Sequence, residues 1–570
     1  MGGVGIGIYQ LIFPVYSLCV VLTTSGLPLA ISKVVAKHEG KNVIKNCLGF
    51  TCLIALLLST ILFISSGALA KLQGEQKIAI CYAILSPSII VVSASSVFKG
   101  YFQGRRQFVP SALSNIIEQF IKFVVGLILT LILIKQSVIL AIIGAVVAID
   151  VSEVVSFLVL VCFYRNKPVQ NDKNLSISAL FKDILPIMLT NVILPLAMFA
   201  DSLLVVNLLG MNFSKQTAVA MYGIETGAVS SLINLPTIFS FAIASVLMPM
   251  LAGKGNDFNK THTLSVAIKI VLTITVPCVI CFVFIPNRII DVLYAGRFVF
   301  EDFDGMILAY RLLAISAFGI VFLTLNQLFS SALQAQEKRL TTIRNLLVAV
   351  TFKFIIEIVF LQTKEVNIFA LTIANVVCYA TSMLLNEMSL KKSLCMLVDF
   401  AFISKLLLCN VLMFLTLLGT LYAGTSAWVT LAGLMLAGIV YLGSLSLTKI
   451  FTRRDLAMIK YKIKWLKFSC VAIILLEVEI MNKSECVDEV FDKTGLTKKD
   501  CKLCLDAILD VIKDALSNGE SVTLSNFGKF KVNNVKAKSM YSFKTGATYV
   551  AKARKTPCFK ASDNLKQIVK

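Results

Sequence analysis

Thirteen apolar stretches, most of them twenty or more residues long, succeed one another through the first 450 positions of this chain, and from Met481 a soluble, basic pattern takes their place. A helix needs about 20 apolar residues to cross the hydrocarbon of a bilayer. A globular core has no means of covering thirteen such helices with so little charge. Charged residues make up 15% of the 570, where a soluble domain carries about a quarter, and the mean hydropathy is +0.84. The pattern predicts an all-α polytopic membrane protein followed by a small α+β domain.

The spans fall near 8–32, 46–70, 78–100, 112–134, 137–163, 186–209, 219–250, 265–290, 306–333, 341–362, 367–390, 401–423 and 427–448. With the loop after the first span in the cytoplasm, 22 Lys and Arg residues, Lys99 and Lys405 among them, lie on that side and 8 on the other. This is the bias that sets membrane topology, and it leaves the chain after the last span in the cytoplasm. The opening run lacks a basic leader and is too long for a secretory signal, so it reads as a span.

The 15 cysteines are scattered and mostly lie in apolar segments, which excludes a disulfide framework. Cys278/Cys281 and Cys501/Cys504 have CxxC spacing without a second ligand pair, so no metal site is expected. No GxxxxGK[ST] phosphate loop occurs, and the chain is expected to be neither an enzyme nor a holder of a cofactor.

An internal repeat runs through the membrane part. Gln103 and Lys122 are nineteen positions apart, and so are Gln334 and Lys353. Each pair brackets a basic loop and then a helix with one lysine near a glutamate. Pro14 and Pro28 of "IFPVYSLCVVLTTSGLPLAISK" are echoed by Pro236 and Pro249 of "NLPTIFSFAIASVLMPMLAGK". Both copies run the same way across the bilayer. The expected organisation is two pseudo-repeated bundles, 1–209 and 210–450, around a central cavity, as alternating access requires.

The stretches "GIGIYQLIFPVYSLCVVLTTSGLPLAISKVVA" and "ADSLLVV…YGIETGAVSSLINLPTIFSFAIASVLMP" resemble the stage V sporulation protein B group of polysaccharide-biosynthesis proteins. That group belongs to the multidrug/oligosaccharidyl-lipid/polysaccharide superfamily, with the lipid II flippases. The resemblance covers roughly 1–455. It implies fourteen helices in two bundles and passage of a lipid-linked saccharide, a cell-wall or polysaccharide precursor, from the inner to the outer leaflet. Thirteen spans fit that plan if the family's first helix is missing. Cation-coupled multidrug export is the alternative within the superfamily.

Ionisable groups at bilayer depth are costly unless paired or hydrated, so each is a candidate for function. Asp150 and Glu153 share one face of the fifth span; with Asp201 and Glu225 they form the expected ion-coupling set. Glu118/Lys122 and Lys353/Glu357 are i, i+4 pairs at repeat-related positions. As pairs they neutralise themselves; as lysines from each half facing one cavity, Lys122 and Lys353 would receive a substrate diphosphate. Lys33 is a third substrate-binding candidate, or it snorkels to the interface.

From Met481 two amphipathic helical patterns, each closed by a glycine, precede alternating strand patterns and a short last helix. Residues 481–528 hold nine acids and six bases, whereas 529–570 hold eleven Lys and Arg against one Asp. Positive charge gathered on a β-ribbon is a nucleic-acid footprint. "LSNFGKF", "KTG" and "TPCFKA" resemble the bacterial HU/integration host factor family over the full 481–570. The resemblance implies a homodimer whose β-ribbon arms enter the minor groove of double-stranded DNA and bend it. Phe527, Phe530 and Phe559 match its aromatic core, and Cys501 and Cys504 its small core positions. Lys529, Lys531, Lys536, Lys538, Lys544, Lys552, Arg554, Lys555 and Lys560 would contact phosphate or groove, and Phe543 stands where the family's intercalating proline does.

Between the two parts, 451–480 reads as a basic amphipathic linker suited to membrane lipids of the inner leaflet. The codons of Leu476-Glu477-Val478 can spell a ribosome-binding sequence just before Met481, which suggests two neighbouring reading frames joined. A membrane-anchored DNA architectural protein is the other expectation for the whole chain.

Overall fold

The computed structural model describes residues 2–28, 31–32, 35, 41–105, 107–164, 177–252, 257–294, 296–298, 300, 303–390, 398–422, 424, 426–452, 455, 483–535, 538–541, 548–551 and 554–569. They form two compact units, 1–467 and 468–570.

The first unit is helical. Its N-terminal half holds α1 (Gly2–Thr24), α2 (Lys41–Leu72), α3 (Ala79–Leu85), α4 (Ser88–Gly104), α5 (Phe108–Leu133), α6 (Val138–Phe163) and α7 (Ile177–Leu209). Then come α8 (Lys215–Gly223), a π-helical turn (Ile224–Val229) and α9 (Ser230–Ala252). The rest is α10 (Asp257–Phe284), α11 (Pro286–Tyr294), α12 (Gly305–Ala335), α13 (Arg339–Phe360), α14 (Phe369–Leu390), α15 (Phe400–Tyr422) and α16 (Ala427–Thr448). Several starts are capped by side chains that accept an orphan backbone N–H. Ser137, Ser214 and Ser426 do so for α6, α8 and α16, and the Asp304 carboxylate accepts from Met306 and Ile307 at 2.9 and 3.1 Å.

Among the described residues, twelve helical segments are long and apolar enough to cross a membrane. The thirteenth expected span is α13, a helix of 22 residues. Arg344, Lys353 and Glu357 make it too charged to qualify by composition alone, and Lys353 and Glu357 are buried inside the unit instead.

The repeat is visible in the fold. α5 and α13 each begin a few residues after the preceding long helix, and they pack on α6 and α14 respectively. Pro14 lies inside α1, and Pro236 and Pro249 lie inside α9. α1 also packs directly on α8 and the π turn. Gly223 lies against Gly7 and the Gly3 carbonyl there, and Gly227 against Ile6 and Gln10: a Cβ on Gly7 would lie 2.0 Å from the Val219 carbonyl oxygen. Small residues four apart let two backbones touch in this way where lipid supplies no hydrophobic drive. Beside this contact the buried Gln73 amide donates to the Leu11 carbonyl at 2.9 Å and to Ser202 Oγ at 2.9 Å, and Tyr82 donates to Gln73.

The second unit is α+β. α17 (Lys483–Thr494) and α18 (Lys498–Ser517) are closed by Gly495 and Gly519 at φ +72° and +83°, as the sequence predicts. The Thr497 hydroxyl caps α18 by accepting from Asp500 N–H at 3.3 Å. Strands β1 (Val522–Leu524), β2 (Gly528–Val535) and β5 (Arg554–Ala561) form one antiparallel sheet in the order β1-β2-β5. β3 (Lys538–Tyr541) pairs with β4 (Thr548–Ala551), and α19 (Asp563–Val569) ends the chain. Phe559 is the hub of the aromatic cluster, 5.5 Å from Phe527 and 4.8 Å from Phe530 between ring centroids. Cys501 is buried as expected, whereas Cys504 is exposed on α18.

Candidate functional sites in the membrane helices and on the basic ribbon

In the N-terminal half, Glu118 of α5 is the centre of a charge cluster. Lys122 Nζ lies 3.4 Å from one of its carboxylate oxygens and Lys99 Nζ, from α4, 3.8 Å from the other. Ser156 of α6 and Gln119 donate to the same carboxylate at 3.4 and 3.1 Å. Glu153 is buried on the same side of α6, close enough to feel Glu118, Lys122 and Lys99, and Asp150 sits one turn earlier beside Ser88. The expected pair Glu118/Lys122 is therefore real, and sequence reading missed its second lysine. Lys99 stands near the end of the apolar 78–100 run, in a helix that continues to Gly104, and its partner lies on the next helix, out of reach of spacing along α4.

The second cluster is sealed. Lys353 of α13 donates to Asp201 Oδ2 at 2.5 Å and lies 3.6 Å from Glu357. Its side chain is 7% exposed. Glu225, in the π turn, is buried with Ser316 and Thr372 as polar neighbours. Asp201 Oδ1, Glu225 Oε2 and both Glu357 oxygens accept no hydrogen bond among the described residues. One lysine thus contacts two carboxyls, with Glu225 close enough to feel its charge. The structure brings together Asp201, Glu225 and Lys353, and it separates Asp150 and Glu153 into the other cluster. Lys33 lies outside the described residues.

Two polar groupings were not anticipated. Asn386 of α14 accepts from Asn345 of α13 at 2.9 Å and donates to Asn326 of α12 at 2.8 Å, tying three helices together. Near the middle of α10, Lys269 lies 3.2 Å from both Asp399 and Asp455. His262 is 3.3 Å from the other Asp455 oxygen. The lysine within the apolar 265–290 run was the available signal. Asp455 also accepts from Thr452 N–H at 3.1 Å and donates its own N–H to Thr452 Oγ1 at 3.2 Å, the reciprocal pattern of a capping box.

Burial alone raises the pKa of the Asp455 carboxyl, but His262, the Lys269 charge and the Thr452 contacts outweigh it and hold the group at about 2. Because the folded value lies below the ordinary 3.8, the stabilisation is complete above that value and is lost as pH falls towards 2. Asp455→Asn is therefore expected to lower the unfolding temperature of the detergent-solubilised chain at neutral pH. The gap from the parent should close between pH 4 and 2; a gap independent of pH contradicts the ion pair.

In the second unit, β-sheet register sorts the expected DNA contacts. Lys529 stands opposite Lys560, Lys531 opposite Cys558 and Val535 opposite Arg554. Alternation therefore puts Lys529, Lys531 and Lys560 on one face. Phe530 and Phe559, paired with each other, lie on the opposite face, and Lys555, opposite Asn534, lies with them. Lys538 is on β3, opposite Ala551. Lys536, Phe543, Lys544 and Lys552 lie outside the described residues. Among the described residues no group of His, Cys, Asp and Glu is arranged to hold a metal.

Comparison with known proteins divides at the same place. Residues 1–253 match the model of the polysaccharide biosynthesis protein family, and residues 481–570 that of the bacterial DNA-binding protein family. The stage V sporulation protein B of Bacillus subtilis (strain 168) is 26% identical over 272 residues, 44% of this chain and 52% of the relative. The chain thus spans about half the length of the curated membrane relatives it matches. The fold of the membrane unit is that of a solved structure described as the lipid II flippase MurJ in an inward closed conformation. The TM-score is 0.61 at 16% identity, covering 78% of this chain and 93% of that one. The DNA-binding protein HU-alpha of Vibrio proteolyticus is 41% identical over 90 residues, 16% of this chain and the whole of that protein. Over residues 481–570 the chain belongs to the bacterial DNA-binding protein family, joined in one polypeptide to a multi-pass membrane unit whose first 253 residues match the polysaccharide biosynthesis protein family.

Proposed function

We propose that the membrane unit carries a lipid-linked saccharide across the cytoplasmic membrane by alternating access, and that residues 481–570 bind double-stranded DNA on the cytoplasmic side. The observation that carries the first half is charge at membrane depth, distributed over repeat-related helices of a flippase-like fold. Lys122 receives the anionic head of the substrate. Lys353, clamped by Asp201 and Glu357, joins it only when that clamp opens. The surplus of carboxyls supports a coupling cation, taken up by Asp150 and Glu153 in one half and by Asp201 and Glu225 in the other. We divide the unit at 209/210, with 451–480 as the linker. The DNA reading rests on the basic face of the ribbon. Exposed Leu503, Ile508 and Val511 on α18 support a dimer, since each presents apolar surface with no partner in a single copy.

The transport reading is tested in vesicles reconstituted with the full chain and a fluorescent lipid diphosphosugar. Charge removal at both Lys122 and Lys353 is expected to slow transfer between leaflets by at least about tenfold, the loss of one charge-assisted contact, while insertion stays intact. Unchanged transfer in an inserted double-alanine variant sinks the assignment.

A further inference from the structure

The two lysine clusters are not equivalent, although the repeat relates them. Lys353 is closed off by two carboxylates of its own. In the first cluster two lysines pair with the one carboxylate of Glu118, Glu153 and Asp150 of α6 standing farther from them, and the lysine side chains remain 27% and 31% exposed. Ser95 and Ser96, one turn before Lys99 on its helix, are buried, and their hydroxyls have no hydrogen-bond partner among the described residues. Ser111 of α5, on the stripe that continues through Ser114, Glu118 and Lys122, has a hydroxyl in the same condition. Helices α4 and α5 therefore supply two cations against one carboxylate of their own, with unpaired buried hydroxyls on the same two helices, and the carboxylate that pairs both lysines is a side chain.

We propose that Lys99 and Lys122 form a receptor for a diphosphate group, with Glu118 as a built-in counter-ion that the ligand displaces. The inference rests on the transport reading and deepens it by adding Lys99 and Glu118 to the substrate path. The chemistry is a competition between anions. A carboxylate offers one negative charge shared between the two ammonium groups. A diphosphate offers more charge and more acceptor oxygens, and compact lysine ammonium groups pair with phosphate as point charges. The carboxylate keeps the lysines neutralised in the bilayer while no ligand is bound. It also keeps the empty site from capturing weak anions, so the ligand must outcompete an internal rival.

The test uses the full-length chain in nanodiscs of zwitterionic lipid, titrated calorimetrically with farnesyl diphosphate and with inorganic pyrophosphate. Lys99→Gln and Lys122→Gln are each expected to weaken binding by about tenfold, and Glu118→Gln to strengthen it by a similar factor. Lys364→Gln, on the opposite side of the membrane by the charge topology, should change nothing. Because Glu118→Gln leaves two lysines without their counter-ion and endangers folding, Lys99→Gln is the decisive variant; it keeps a neutral Glu118–Lys122 pair. Unchanged affinity in folded Lys99→Gln, or weaker binding by folded Glu118→Gln, overturns the proposal. Tighter binding of farnesyl diphosphate than of pyrophosphate supports a lipid-borne ligand; equal affinity supports the same receptor with a free diphosphate as its source. Binding that follows this pattern without any leaflet transfer counts against the transport reading and leaves the receptor standing.

Discussion

Lys353→Gln is expected to destabilise the membrane unit by about 3–5 kcal/mol, the cost of breaking a buried ion pair from one side. The ammonium lies 2.5 Å from Asp201 and 3.6 Å from Glu357, and all three groups are buried. Without it, two carboxylates remain at membrane depth with no cation between them. Asp201→Asn alone should cost less, because Lys353 keeps Glu357 as a partner. The double variant should recover most of the loss from Lys353→Gln, since one charge of each sign has gone. Thermal unfolding in detergent checks the order. A Lys353→Gln protein as stable as the parent, or a double variant no better than the single, means that the cluster is hydrated rather than sealed.

Simultaneous Lys529→Ala, Lys531→Ala and Lys560→Ala substitutions are expected to lower duplex affinity by about a hundredfold or more at 0.1 M salt. The slope of log K against log salt should flatten by nearly one for each lysine that contacts a phosphate. The three residues share one ribbon face by register. Lys555 lies on the other face, with the phenylalanines, so Lys555→Ala alone should have a much smaller effect. Fluorescence anisotropy with labelled duplex over a salt series measures both quantities. An affinity that ignores salt, or a larger loss from Lys555 than from the trio, rejects the ribbon face as the phosphate surface.

How far these features could be read in advance depends on the range of the interaction involved. A span announces itself in about twenty consecutive residues, so all thirteen are legible as apolar runs, twelve by composition alone and the thirteenth in spite of its charges. The closing glycines at 495 and 519 and the alternation that pairs Phe530 with Phe559 are equally local. The i, i+4 pairs Glu118/Lys122 and Lys353/Glu357 follow from helical spacing alone. Their decisive partners do not. Asp201 reaches Lys353 from a helix that ends 130 residues before α13 begins, and no periodicity marks the meeting. Lys99 lies within the apolar run near its end, but its pairing with Glu118 comes from the neighbouring helix, which no spacing along α4 announces. Lys269, Asp399 and Asp455 meet across three separate segments, so only the lone lysine was visible beforehand.

Flotation of vesicles that carry the full chain tests the central claim most directly: that one polypeptide both spans a bilayer and holds DNA. Vesicles reconstituted with the chain are mixed with labelled duplex and layered beneath a density gradient. The duplex should rise with the vesicles at low salt, and should stay below at high salt or with the three-lysine variant. Duplex that remains at the bottom at low salt, with the chain itself in the floating fraction, contradicts the account.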